Sequence, residues 1–293
     1  MTTILLGYEL GTGAPVHLPR HHMVVSGITR LSGKSTTLEA LIVRSGMRGL
    51  AFRTKRGELL FKGARSIPPF YQSRADWQYV SSLIEATLRE RVKFERSWII
   101  NATKGARTLQ QVYKNIQGFL QKEKLRDLDR GVYTNLAAYL ELVLPELERV
   151  EFSKELSLAP GLNLMDMEGL SPEVQQLVIR ASLERVFASE RDVVVVIPEA
   201  QDFVPEGRNT PVKLIALDLV RKGGAVGTYL WLDSQSITGI SKAILKQCDV
   251  WLLGRQRELN EVQRTLAQLP LPRAARPGID EVMSLGIGEF FAC

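Results

Sequence analysis

Residues 22–42 read HMVVSGITRLSGKSTTLEALI, and this stretch decides the fold. Four apolar or small residues, 23–26, form a short buried strand. A loop holding Gly27 and Gly33 follows, and Lys34-Ser35-Thr36 then opens a helical pattern that sets Leu38, Leu41 and Ile42 on one face. A strand, a glycine-bearing loop and a helix that starts on Lys-Ser make a receptor for a nucleoside triphosphate. Glycines let backbone N–H groups close on phosphate oxygens, the helix N-terminus adds partial positive charge, a lysine neutralises the β/γ region, and a hydroxyl ligates magnesium. Lys34 and Ser35 take the last two roles, and Thr36 can donate near the α-phosphate. The binding candidates are therefore Gly27, Thr29, Arg30, Leu31, Ser32, Gly33, Lys34, Ser35 and Thr36, with ATP and Mg²⁺ as the cofactors and Ser35 as the metal ligand. The spacing departs from the ordinary motif, since Gly27 and Gly33 enclose five residues instead of four. Either the loop is one residue longer, or Ile28 stands where the first glycine should be and the cradle is formed mainly by residues 29–34.

Outward from this motif, short apolar runs at 49–53, 162–167, 193–197, 228–233 and 250–254 alternate with longer helical patterns. Several are apolar nearly throughout, as strands covered on both faces must be. The alternation predicts an α/β fold with a largely parallel central sheet. A last run at 289–293 is expected to be either an edge strand or the start of a truncated element. Ser171, Pro172 and Glu173 spell a helix start, with N-cap, first position and first-turn acid in order. Between 68 and 149 helical stripes dominate: Val80, Leu83, Ile84 and Leu88; Leu109, Val112, Ile116 and Leu120; Leu136, Leu140 and Val143. These predict a helical insertion lying on the sheet within one domain spanning 1–293, because no repeat or low-complexity linker separates it.

A triphosphate site also requires a group that activates water. The run RDVVVVIPEAQDF ends its strand at Pro198-Glu199, which would project Glu199 from the carboxyl edge of the sheet, where open α/β sheets bind ligands. An Asp usually precedes such a Glu and holds the magnesium shell. Here Pro198 stands in its place and has no side-chain ligand, so the metal is expected to rely on Ser35, phosphate oxygens and water, with or without help from Glu199. A second strand, 228–233, ends in Ser234-Gln235, whose amide can contact the γ-phosphate or the attacking water. Arg221 and Lys222, ahead of Gly223-Gly224, and Arg255 and Arg257, after 250–254, are candidates for stabilising transition-state charge, in cis or from a neighbouring subunit; solvated surface residues are the alternative.

The composition agrees with a folded enzyme: 293 residues, 45% hydrophobic and 24% charged, lie far from a disordered chain. The net charge of +6 is concentrated, because residues 53–130 carry 17 Lys/Arg against 8 Asp/Glu while the remainder is slightly acidic. A local basic face permits a polyanionic partner; solvated amphipathic helices explain it equally well. Cys248 and Cys293 are too few for a disulfide framework and suit a reducing, cytoplasmic location. No apolar stretch approaches membrane-helix length, and MTTILLGYELGTG lacks the order of a signal peptide. His17, His21 and His22 all precede the first core strand, where surface or strand-edge packing is the expected role.

In combination, SGITRLSGKSTTLEALI, AFRTKRGE, GLNLMDMEGLSPEVQ, VVVVIPEAQ, RKGGAVGTYLWLDSQ and LGIGEFF resemble the HerA/FtsK branch of P-loop ATPases over most of the chain. The resemblance implies a P-loop NTPase, RecA-like core, usually assembled as a hexameric ring that couples ATP hydrolysis to movement along duplex DNA as a translocase or helicase-like motor, often beside a nuclease. It assigns Lys34 and Ser35 to the Walker A roles, Glu199 to the catalytic carboxylate, Gln235 to the sensor and Arg221 to a trans-acting finger. FRTKRGE, at 52–58, occupies the family's Asp-Pro-Lys-Gly-Glu-like turn and suits phosphate or DNA contact; a solvent-exposed turn is equally allowed. The loop spacing and Pro198 depart from the family pattern and bear on catalytic rate. The short stretch before the first core strand, in place of the longer members' β-barrel, bears on partner docking. A nucleotide-gated assembly module that recruits a partner and hydrolyses slowly is the alternative function.

Overall fold

The computed structural model describes residues 3–28, 32–55, 61 and 63–293. In chain order the elements are β1 (Thr3–Tyr8), β2 (Pro15–Pro19), β3 (Met23–Ser26), α1 (Lys34–Ser45), β4 (Arg48–Arg53), β5 (Arg65–Ile67), α2 (Trp77–Leu88), α3 (Arg96–Thr103), α4 (Leu109–Leu120), α5 (Asp127–Glu141) and α6 (Leu144–Arg149). They continue with β6 (Leu162–Asp166), α7 (Pro172–Ser189), β7 (Val193–Ile197), α8 (Ala200–Phe203), α9 (Pro211–Lys222), β8 (Thr228–Ser234), α10 (Lys242–Leu245), β9 (Val250–Gly254), α11 (Leu259–Gln268), α12 (Ile279–Ser284) and β10 (Phe290–Ala292). β1 and β2 form a separate antiparallel hairpin, and the other eight strands form one sheet in the order β10-β9-β3-β8-β7-β4-β6-β5. Every pair in it is parallel except β9–β10, so the α/β core with a largely parallel sheet is as expected, and the last strand lies at the edge.

The continuous apolar runs are explained by burial on both faces. Along β7, Val193, Val195 and Ile197 enter one core cluster and Val194 and Val196 the other, all at 0–1% exposure. Burying one such side chain contributes about 1.5–3 kcal/mol, so this strand anchors both layers. One face is covered by α1 and the β1–β2 hairpin, with Leu38, Leu41 and Ile42 packed beside Ile4 and Leu18. The hairpin is tied down by Arg44, which donates to the Leu5 and Leu6 carbonyls. The other face carries α7, α9 and the helices of the insertion in one continuous core.

The Ser171 start signal is realised: its Oγ accepts from the Val174 N–H, and α7 runs on from Pro172. Along α7 the polar residues Gln175, Gln176, Arg180 and Ser182 are buried together with Val174, Leu177, Val178 and Ala181. The helix packs against α9 and α2, and its exposed residues are confined to Pro172 at its start and Arg185, Ala188 and Ser189 toward its end. In the first insertion stripe Val80, Leu83 and Ile84 are buried, whereas Leu88 ends α2 at 38% exposure. Two features were not expected from the sequence, the β1–β2 hairpin and the three-residue strand β5. No helix among the described residues is long and apolar enough to cross a membrane.

Candidate active site

The sheet order brings the sequence candidates to one edge. β8 lies between β3 and β7, and its register aligns Ser26 with Ser234 on one side and Ile197 with Leu232 on the other. The carboxyl ends of β3, β8, β7 and β4 therefore stand side by side. From them come the loop that carries Gly27 and Gly33, Asp233 to Gln235, Glu199 and Lys55.

The described part of the loop is pinned. Gly27 must be glycine, because a Cβ there would lie 2.7 Å from Ser32 Cβ and 2.8 Å from Ser32 Oγ. Ser32 is buried and donates to the Ile28 carbonyl at 2.7 Å. The Ile28 N–H is committed to the Arg255 carbonyl at 2.9 Å, so it is not a cradle donor. Gly33 adopts a left-handed conformation (φ 79°) as the N-cap of α1, and its missing Cβ leaves room for Gly288, whose N–H donates to the Ser32 carbonyl. Lys34, 8% exposed, donates to the Gly27 carbonyl at 2.6 Å and pairs with Asp233 at 3.6 Å. Ser35 is half-buried and Thr36 exposed on the same helical turn. Thr29, Arg30 and Leu31, and the 56–58 part of FRTKRGE, lie outside the described residues.

Glu199 follows β7 in a left-handed conformation (φ 45°), rare and costly for a residue with a Cβ. The tight step from β7 into α8 holds it there, 9% exposed. Its Oε1 accepts from Gln235 at 2.6 Å and from Lys55 at 2.9 Å, and its Oε2 accepts from Gln201 at 2.8 Å. Burial opposes its charge most strongly, but the donors Gln201, Lys55 and Gln235 together hold the carboxyl below the usual Glu range. Glu199 is thus ionised at neutral pH. A further chain of bonds supports the cluster: Ser234 donates to Gln201 Oε1 at 2.6 Å, and Gln175 donates to the Thr54 carbonyl, fixing the backbone next to Lys55.

The start of α1 and the Glu199 carboxylate are therefore joined through one strand end, with Asp233 reaching Lys34 and Gln235 reaching Glu199. Arg221 is not brought to this cluster. It is exposed on the last turn of α9, and Gly223 just beyond packs against Thr228 at the amino end of β8, so Arg221 lies at the opposite edge of the sheet. Any action of Arg221 on this site has to come from another copy of the chain. Arg255 is half-buried and Arg257 exposed.

Sequence reasoning missed Asp233, Gln201 and Lys55 as members of the cluster. Asp233 carried a signal, being the one acid in the apolar run TYLWLDS. A cavity of about 510 Å³ lies among α2, α7 and α9, and none of its lining residues belongs to this cluster. Among the described residues no group of three or more His, Cys, Asp or Glu side chains is placed to hold a metal unaided. A magnesium ion here would need ligand oxygens from its nucleotide, and the Ser35 hydroxyl beside Lys34 suits that arrangement.

No family model matches the chain, and no curated protein matches it by sequence. Solved structures do. VirB4 of Thermoanaerobacter pseudethanolicus superposes with a TM-score of 0.71 at 14% identity, covering 97% of this chain and 92% of that one. The plasmid coupling protein TrwB, in complex with ADP and Mg²⁺, superposes with a TM-score of 0.62 at 12% identity, covering 96% of this chain and 84% of that one. At such identity the likeness is one of fold, and the protein has the α/β P-loop NTPase core shared with VirB4 and TrwB, elaborated by helical insertions.

Proposed function

We propose that this chain is an ATP-hydrolysing motor of the DNA-translocase type that works as a homo-oligomeric ring, six-membered in the simplest case, on double-stranded DNA. The observation that carries the reading is the continuous link from Lys34 through Asp233, Ser234 and Gln235 to Glu199. Lys34 supplies the positive charge for the β/γ-phosphates. Glu199, ionised and buried, accepts the proton of the attacking water, and Gln235 positions that water while sensing the γ-phosphate. Magnesium, held by Ser35 and phosphate oxygens, would neutralise charge that develops on the transferred group. The fold shared with TrwB, which was solved with ADP and Mg²⁺, supports the choice of nucleotide and metal. The basic excess over residues 53–130 supports a DNA partner, and the far-edge position of Arg221 supports action in trans within a ring.

The test is ATP turnover with and without duplex DNA. DNA stimulates hydrolysis, Lys34→Ala abolishes it, and DNA binding weakens steeply with salt as counterions compete for the phosphates. Protein that neither binds DNA at low salt nor hydrolyses faster with it refutes the motor. A second reading, a nucleotide-gated assembly module with slow hydrolysis that recruits a nuclease or other effector, is favoured by Pro198 and by the five-residue loop. Displacement of DNA-bound obstacles separates the two, since only a motor performs it and loses it on Glu199→Gln.

A further inference from the structure

The nucleotide-bound magnesium of P-loop enzymes is shared between the loop hydroxyl and an acid at the end of the neighbouring catalytic strand. In this chain that acid is replaced by Pro198. We infer that Asp233 supplies the missing carboxylate, from β8 in place of β7.

The carboxyl edge of the sheet offers few candidates. Asp166 ends β6, four strands from β3 in the sheet order, which at roughly 4.8 Å per strand is about 19 Å from the loop. It is also bound by both arms of Arg53. Glu168 lies beyond it, within 4.0 Å of the same Arg53. Glu199 is two strands away and accepts from three side-chain donors on its two oxygens. Asp202 is exposed on α8. Asp233 is the penultimate residue of β8, the strand next to β3, in register with Val25. Its carboxylate, 15% exposed, lies 3.6 Å from the ammonium of Lys34, the residue preceding Ser35 on the first turn of α1. It is a hard oxygen donor of the kind magnesium requires, held at the ammonium of the residue that precedes Ser35.

The inference rests on the nucleotide-binding reading of Lys34, and the experiment separates the two. Binding of a fluorescent ATP analogue is measured with Mg²⁺ and with EDTA, and Mn²⁺ bound in the presence of a non-hydrolysable ATP analogue is counted by EPR. Wild-type protein binds nucleotide more tightly with Mg²⁺. Asp233→Asn is expected to lose at least tenfold of affinity in Mg²⁺, to change less than twofold in EDTA, and to lose the bound Mn²⁺ signal. Asp233→Glu keeps a carboxylate and retains the Mn²⁺ signal, and Pro198→Asp added to Asp233→Asn restores it from the ordinary position. An equal loss with and without Mg²⁺ makes Asp233 only the counter-ion of Lys34 and overturns the inference, as does an unchanged Mn²⁺ signal in Asp233→Asn. If wild-type protein binds no nucleotide, or Lys34→Ala binds it equally well, the underlying reading fails instead.

Discussion

Replacing Gly27 by alanine tests the loop through a single contact. The added methyl would sit 2.7 Å from Ser32 Cβ and 2.8 Å from Ser32 Oγ, with the Arg255 carbonyl at 3.4 Å. Ser32 is buried at 1% exposure and bonded to the Ile28 carbonyl, so it cannot swing away without giving up that bond. Forcing a methyl into so tight a site costs about 2 kcal/mol, in the range found for overpacking. If the cost falls on the binding-competent loop, ATP affinity drops about 30-fold. Ser32→Gly alone also costs about 2 kcal/mol, from one lost hydrogen bond and added backbone freedom. The double variant no longer contains the clashing atoms, so it should cost about as much as Ser32→Gly alone, a coupling of about 2 kcal/mol. The assay is a double-mutant cycle on the affinity of a fluorescent ATP analogue, with urea denaturation alongside to show where the energy is lost. Costs that add to within about 0.5 kcal/mol would mean that Gly27 and Ser32 do not hold the loop together as described.

Two further outcomes follow from buried titratable groups. His22 is 6% exposed, and its Nδ1 accepts from the Leu230 N–H, so the folded protein holds it neutral; burial, reinforced by His21 and opposed by Asp249, lowers its pKa to about 4 from 6.5. The unfolded chain therefore takes up a proton first as pH falls, and about 3 kcal/mol of stability is lost between pH 6.5 and 4. Denaturation at pH 7 and pH 4 should show this loss in the wild type and a much smaller one in His22→Gln, and parallel losses would refute it. Glu199 has a folded value below its unfolded one, so its contribution is present above the ordinary carboxylate range and disappears as pH falls through the folded value. Lys55→Met removes one of the donors that hold it low, while Asp202 still faces it with like charge. Because Lys55 is half exposed, stability at pH 7 should fall by no more than about 1 kcal/mol. The acid limb of the ATPase profile should nonetheless move to higher pH, and an unmoved limb would show that Lys55 does not act on Glu199.

How much was legible in the amino-acid order differs between fold and site. Runs such as VVVVI and VWLLG announced strands covered on both sides, and Ser171-Pro172-Glu173 announced a helix, because apolar periodicity and capping act over a few neighbours. Lys34, Ser35 and Glu199 were identifiable because their chemistry needs a strand end or a helix start that local patterning reveals. The short strand β5 escaped notice because three residues hold no period, and the hairpin because β1 and β2 gain their partner and their packing on α1 from beyond their own run.

What the order of residues could not determine is which strand stands beside which. Strand adjacency is a property of the whole sheet, set by how the connecting helices pack on its two faces, and no window of sequence contains it. It was the insertion of β8 between β3 and β7 that brought Asp233 to Lys34 and Gln235 to Glu199, and that left Arg221 at the far edge. Lys55 became a partner of Glu199 for the same reason, 144 residues apart in the chain but on neighbouring strand ends. The chain alone therefore specified the chemical groups, whereas their pairing into a site arose from long-range packing.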